Sequence, residues 1–298
     1  MVVIAISFHT LASVALPPLH GGQFASTQTP PVAAILIVGA GVLYGWGVRR
    51  VNRLQPRHRW SPWRTTAFFG GLFLTAVAVG SFIGVYDQTL FWDHMTQHLI
   101  LVMAAAPLFA MAAPLSLVWS ATTGRPHQWV TRSLRSPIAR FFDLPVVAFG
   151  LYAVVIPVTH LTSFYNYTLR NEEVRNLEHV IFLVVGYLFW RQVFPVEHSA
   201  HRMHPALRMG YLFLAVPVDT FVGLSLNNES HEIFPNYFLI HRSRGPSLVT
   251  DLHLGGVIMW VVGDTLMTLA MIPVAVAWLR YEERKSTRVD RELDAMAL

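Results

Sequence analysis

The stretch His94-Met-Thr-Gln-His98-Leu-Ile-Leu-Val-Met103-Ala-Ala-Ala-Pro107 decides how this chain is read. From Thr96 the sequence runs without a charged residue to about position 120, longer than the ~20 residues needed to cross a bilayer as a helix. On such a helix His94 and His98 lie one turn apart on the same face. A polar pair at the mouth of an apolar helix is costly to keep near hydrocarbon, which marks it as functional.

The rest of the composition agrees with a membrane setting. Of 298 residues, 53% are hydrophobic and 13% charged, where a soluble domain carries about 25% charge. Mean hydropathy is +0.44. Apolar runs of spanning length fall at roughly 32–50, 64–86, 96–120, 142–162, 174–194, 206–227 and 251–279. Lipid offers the backbone no hydrogen bonds, so each run is expected to be a helix. The fold class is therefore all-α: a polytopic membrane bundle with seven transmembrane helices. Three parts are expected: an N-terminal segment 1–31 on the outer face, a transmembrane domain 32–279, and a cytoplasmic tail 280–298.

Charge sets the expected orientation. Arg49, Arg50, Arg53, Arg57, Arg59 and Arg64 follow the first run, and Arg125, Arg132, Arg135 and Arg140 follow the third. Arg191, Arg202 and Arg208 flank the next loop on that side, and Arg280, Arg284, Lys285, Arg288 and Arg291 lie in the tail. The opposite side has only Arg170, Arg175, Arg242 and Arg244. The positive-inside rule places the N-terminus outside and the C-terminus in the cytoplasm. The net charge of +5 thus reflects topology, and arginines spread over four loops do not make a nucleic-acid surface. Residues 2–18 are apolar but lack the basic start of a secretory signal, so they are read as a retained outer-face segment.

Cysteine is absent, which removes disulfides, thiolate metal sites and cysteine catalysis. No nucleophile with a paired base appears at a recognisable spacing, so catalysis is not expected. Five histidines from four helices fall at similar depth on the outer side: His94, His98, His160, His179 and His253. Bundles build metal sites from inward-facing side chains on neighbouring helices, and imidazole suits zinc, copper or iron. These five are the candidate ligands, with Met95 and Met259 nearby as thioethers. The group His198, His201 and His204 sits in a proline-flanked loop and reads as solvated. Pro107 and Pro114 should bend or loosen the third helix, while its alanines admit a close neighbour. Asp219 and Asp264 lie inside the sixth and seventh runs. At 1.5 Å per residue they are expected about 10 Å apart in depth, too far for a direct pair.

Together these residues resemble the CtaG-type cytochrome c oxidase assembly factors of bacteria. The resemblance rests on His94-Met95-Thr96-Gln97-His98 followed by Ala106-Pro107 and Ala113-Pro114. It continues through His160, Tyr165, Glu178-His179 and Phe189-Trp190, then Asp251, Leu254, Gly255, Gly256, Met259 and Trp260. His253 stands where the family commonly has glutamine. The resemblance implies a factor in the bacterial plasma membrane that helps mature a haem–copper oxidase. Its partners would be oxidase subunits and the lipid bilayer, and its cargo copper, bound or delivered at the outer face. The residues themselves leave three other readings open. One is a membrane cytochrome holding haem between histidines such as His98 and His179. Another is a metal or proton transporter using Asp219 and Asp264. The third is a scaffold without metal.

Overall fold

The computed structural model describes residues 30–197, 201–231, 233–239 and 245–297. The expected N-terminal segment lies almost wholly outside these residues, as does His198. Every element among the described residues is helical. In order they are α1 (Pro31–Leu54), α2 (Pro62–Gly80), α3 (Phe82–Tyr86), α4 (Phe91–Leu99), α5 (Ala106–Ala112), α6 (Pro114–Ala121), α7 (Gly124–Leu134), α8 (Pro137–Phe142), α9 (Pro145–Leu161), α10 (Ser163–Thr168), α11 (Glu172–Val193), α12 (Pro205–Asn227), α13 (Leu248–Val257) and α14 (Gly263–Ala297). π-helical turns at Ile100–Ala105 and Ile258–Val262 join α4 to α5 and α13 to α14. Proline opens α1, α2, α6, α8, α9 and α12, where its missing N–H removes no helical bond.

Among the described residues, five stretches are long and apolar enough to cross a membrane: Pro31–Leu54, Pro62–Tyr86, Phe91–Ala121, Pro205–Asn227 and Leu248–Met296. Of the other two expected spans, α9 is apolar but has 17 residues, and α11 has 22 residues with Glu172, Glu173, Arg175 and Glu178 in its first two turns. Contacts between helices follow a closed ring. The central rod α4–α5 packs on α11, α11 on α9, α9 on α12, α12 on α13 and α14, and α13 back on α4. Helices α1 and α2 pack outside that ring, α2 against α5 and α1 against α6. The largest core fills the ring and includes Phe91, Met95, Tyr152, Phe182, Phe189, Trp190 and Met259.

Both prolines of the central rod do what the sequence leads one to expect. Pro107 follows the π-helical turn, and the Val102 carbonyl accepts a 2.7 Å bond from the Trp190 indole. At Pro114 the rod breaks. Ala113 takes a left-handed conformation (φ 52°), which costs a residue with a Cβ roughly 1–2 kcal/mol. The freed groups find partners elsewhere. The Ala112 carbonyl accepts from the Tyr44 hydroxyl at 2.9 Å, and the Leu115 N–H donates to Glu197 Oε1 at 2.8 Å. The alanines admit α11 closely: a Cβ on Gly186 would stand 2.9 Å from that of Ala106.

The start of α4 is fastened from across the chain. Its own N-cap position is Leu90, which has no capping side chain. Asp251 on α13 takes that role, accepting from the N–H of Phe91 at 3.0 Å and of Trp92 at 3.1 Å. A carboxylate there also meets the positive end of the helix dipole. Gly255, one turn on, leaves room for the Phe91 ring, and Gly256 packs against the Gly223 carbonyl of α12. The Asp251–Gly255–Gly256 pattern is therefore a joint between helices.

That joint corrects the expected depths of the two aspartates. Gly256 is level with Gly223 and Asn227, so α13 begins well beyond the end of α12. The expected depths assume that α12 ends and α13 begins at the same outer plane. In the structure Asp264 Oδ2 accepts from the Thr220 hydroxyl at 2.6 Å, which puts Asp264 level with the residue next to Asp219.

Candidate metal centre

Three of the five candidate histidines meet. Ligand nitrogens of His94, His98 and His160 all lie within 4.8 Å of one another, and it is the group of three such residues found among those described. All three side chains are buried, at 1%, 5% and 1% exposure. The i, i+4 spacing on α4 brings His94 Nε2 and His98 Nε2 to 2.8 Å, and His160 reaches them from the last turn of α9.

The orientation of His160 is fixed from behind. Its Nδ1 lies 2.8 Å from the Ile156 carbonyl and 2.9 Å from the Thr159 hydroxyl. A carbonyl can only accept, so Nδ1 carries the hydrogen and the neutral ring presents the Nε2 lone pair to the cluster. This is how proteins commonly set the tautomer of a metal-binding histidine. His160 Nε2 has no hydrogen-bond partner, and neither has His98 Nδ1. Between His94 and His98 one nitrogen must donate and the other accept, so binding an ion through both displaces a proton.

Aromatic rings enclose the cluster. Phe182 lies edge-on to His98 with centroids 3.7 Å apart, and Tyr165 lies 4.2 Å from His94. Phe234 stacks on Phe91 and meets Tyr165, whose hydroxyl bonds that of Tyr237. The cluster expected at the outer helix mouth is thus an enclosed chamber. Its cover comes from Phe234 and Tyr237, whose role no pattern in the sequence marks.

The other two candidates lie elsewhere. His253 Nε2 is 2.7 Å from the Glu229 carbonyl. His179 Nε2 stands 3.8 Å from Asp87, beside the Arg175–Asp87 contact at 3.5 Å. Burial pushes the Asp87 carboxyl up to about 6, against the opposing pull of Arg175. Asp87, Gln97, Arg175 and His179 stand at the polar end of an otherwise apolar groove of about 660 Å³ between α1, α2 and α11. Glu178 is buried, and neither carboxyl oxygen has a hydrogen-bond partner.

Asp219 is reached by a residue the sequence did not single out: the Tyr152 hydroxyl donates to its Oδ1 at 2.6 Å. A tyrosine in an apolar helix carries no signal of its partner.

The donor set suits an ion that prefers nitrogen. The triad has neutral imidazoles, no carboxylate, and a buried lone pair without a partner, chemistry that fits zinc or copper. The cavity that His98 and His160 line holds about 20 Å³, room for a water-sized species and far below the several hundred of a typical ligand pocket.

Comparison with known proteins gives the context. An uncharacterized protein of Mycobacterium bovis and one of Mycobacterium tuberculosis are each 26% identical over 288 residues, covering 90% of this chain and 43% of theirs. One of Mycobacterium leprae is 24% identical over 272 residues, covering 88% and 40%. The chain thus spans less than half the length of these relatives. No solved structure matches. The family model described as cytochrome c oxidase caa3 assembly factor matches residues 42–281. A multi-helix membrane chain matched over that extent, with its paired histidines inside the matched region, belongs to the cytochrome c oxidase caa3 assembly factor family.

Proposed function

We propose that this chain is a seven-span, non-enzymatic assembly factor that takes up copper at the outer face and passes it to a maturing oxidase subunit. The five long apolar stretches, with α9 and α11 as shorter or more polar spans, support the seven crossings. Arginine-rich loops at the opposite end of the bundle support a histidine end facing outward, in the bacterial plasma membrane. The observation that carries the copper reading is the unpartnered His160 Nε2 aimed at the His94–His98 pair. When bound, the ion is cargo. The protein's part is to hold three imidazoles dry and oriented, and to release them by exchange of one nitrogen at a time.

The haem alternative loses ground on space, because His98 is packed against Phe182 and the cavity beside it is water-sized. The test is elemental analysis of purified protein after anaerobic loading with Cu(I), beside a His94→Ala/His98→Ala variant. Copper bound near-stoichiometrically by the wild type and lost in the variant supports delivery. Equal copper in both, or none in the wild type, rejects the triad as the cargo site and leaves scaffolding.

A further inference from the structure

Next to the triad, toward the bundle middle, lies the cavity of about 20 Å³ lined by Met95, His98, Met103, His160, Asp219 and Met259. Two imidazoles of the triad form one wall. The rest of the lining includes three methionines and Asp219, alongside Leu99, Val102, Tyr152 and Ile156. Methionine in an apolar core is ordinarily packing. Here three methionines line one small void beside a buried carboxylate. Asp219 is 1% exposed; its Oδ1 is held by Tyr152 at 2.6 Å, and its Oδ2 has no hydrogen-bond partner. The void is bordered by both π-helical turns of the molecule's described residues, since Val102 and Met103 belong to one and Met259 to the other. Such turns occur disproportionately at functional sites.

We infer that this cavity is a second station for the same ion, using the Met95, Met103 and Met259 thioethers and the free oxygen of Asp219. The inference rests on the reading of the triad as a copper site. Thioether sulfur selects Cu(I) over harder or divalent ions, so the station favours cargo that arrives already reduced. A carboxylate supplies the negative charge that three neutral imidazoles lack. The donors continue inward: Thr220, beside Asp219, bonds Asp264 Oδ2 at 2.6 Å. The ion therefore has two adjoining sites, nitrogen-rich above and sulfur-containing below, with His98 and His160 on the wall between them.

The test titrates anaerobic Cu(I) into detergent-purified protein and follows stoichiometry together with copper X-ray absorption. The wild type is expected to bind two equivalents, with sulfur scattering appearing as the second enters. A Met95→Leu/Met259→Leu variant, which nearly conserves volume, should bind half as much and show nitrogen scattering alone. An Asp219→Asn variant should weaken the second equivalent and leave the first. A single equivalent with no sulfur scattering in the wild type overturns the station while the triad reading stands, the methionines then being packing alone. No copper at all removes both. Zinc loaded in place of copper should give no sulfur scattering; sulfur around zinc overturns the claimed selectivity.

Discussion

The two ends of the bundle treat buried polarity in opposite ways. At the arginine end Arg191 stands 3.0 Å from Asp143 and 3.6 Å from Glu197. Glu197 in turn accepts from the Tyr187 hydroxyl at 2.7 Å and from the Leu115 N–H at 2.8 Å. Charges there answer one another and close the break at Ala113. At the histidine end, ring nitrogens of His98 and His160 and an oxygen of Asp219 are buried with nothing to answer them. An unmade buried hydrogen bond costs about 1–3 kcal/mol. A protein keeps that cost where another species completes the set. The satisfied cluster holds the fold, and the convergence of unanswered nitrogens in the triad is what points to a ligand.

This contrast can be broken most directly at Glu197. A Glu197→Ala variant strands the Leu115 N–H and the Tyr187 hydroxyl and leaves Arg191 to Asp143 alone, and should lose about 2–4 kcal/mol. Thermal unfolding in detergent would show it, and a stability like that of the wild type would mean the arginine end is not held by this cluster. The joint that supports the histidine chamber comes next. In Gly223→Ala the new methyl stands 2.7 Å from the Gly256 carbonyl, backbone that yields only if α12 and α13 part. A loss of about 1–3 kcal/mol is expected, together with weaker copper retention in a competition assay with a Cu(I) chelator.

Asp87 sharpens the contrast through pH. Its folded-state value of about 6 lies above the ordinary 3.8, so the folded protein holds this proton more firmly than the unfolded chain. Its contribution to stability is therefore largest in acid and falls as pH rises from about 4 to about 6, by on the order of 1–3 kcal/mol. Unfolding followed across that range should show the slope in the wild type and a flatter profile in Asp87→Asn; equal slopes would remove Asp87 as the source. The smallest effect belongs to His253→Gln. It trades one bond to the Glu229 carbonyl, about 1 kcal/mol or less, and should leave bound copper unchanged. Loss of copper there would return His253 to the ligand set.

Much of this arrangement was legible in the chain itself. Apolar runs gave the helical architecture, because the bilayer constrains length and hydrogen bonding together. The spacing of His94 and His98 gave their shared face, since helix geometry is local. Convergence was harder. His160 joins them and His179 does not, although both sit at similar depth, because depth says nothing of which way a helix is rotated or which helix it neighbours. The level of Asp264 was misread for a related reason. Only the glycine contacts between α12 and α13 reveal how far one helix is slid along the other. The aromatic cover from Phe234 and Tyr237 depends on a loop folding back, which no periodicity records.

The carboxylate of Asp251 has a consequence for biosynthesis. The three histidines are made early, on α4 and α9, yet the residue that fastens the first turn of α4 arrives on α13. A ribosome-bound chain therefore carries the ligands before it carries the clasp that sets them. The chamber closes only when the last third of the protein has been inserted and docked, so an unfinished or truncated chain has the histidines without the enclosure that holds them.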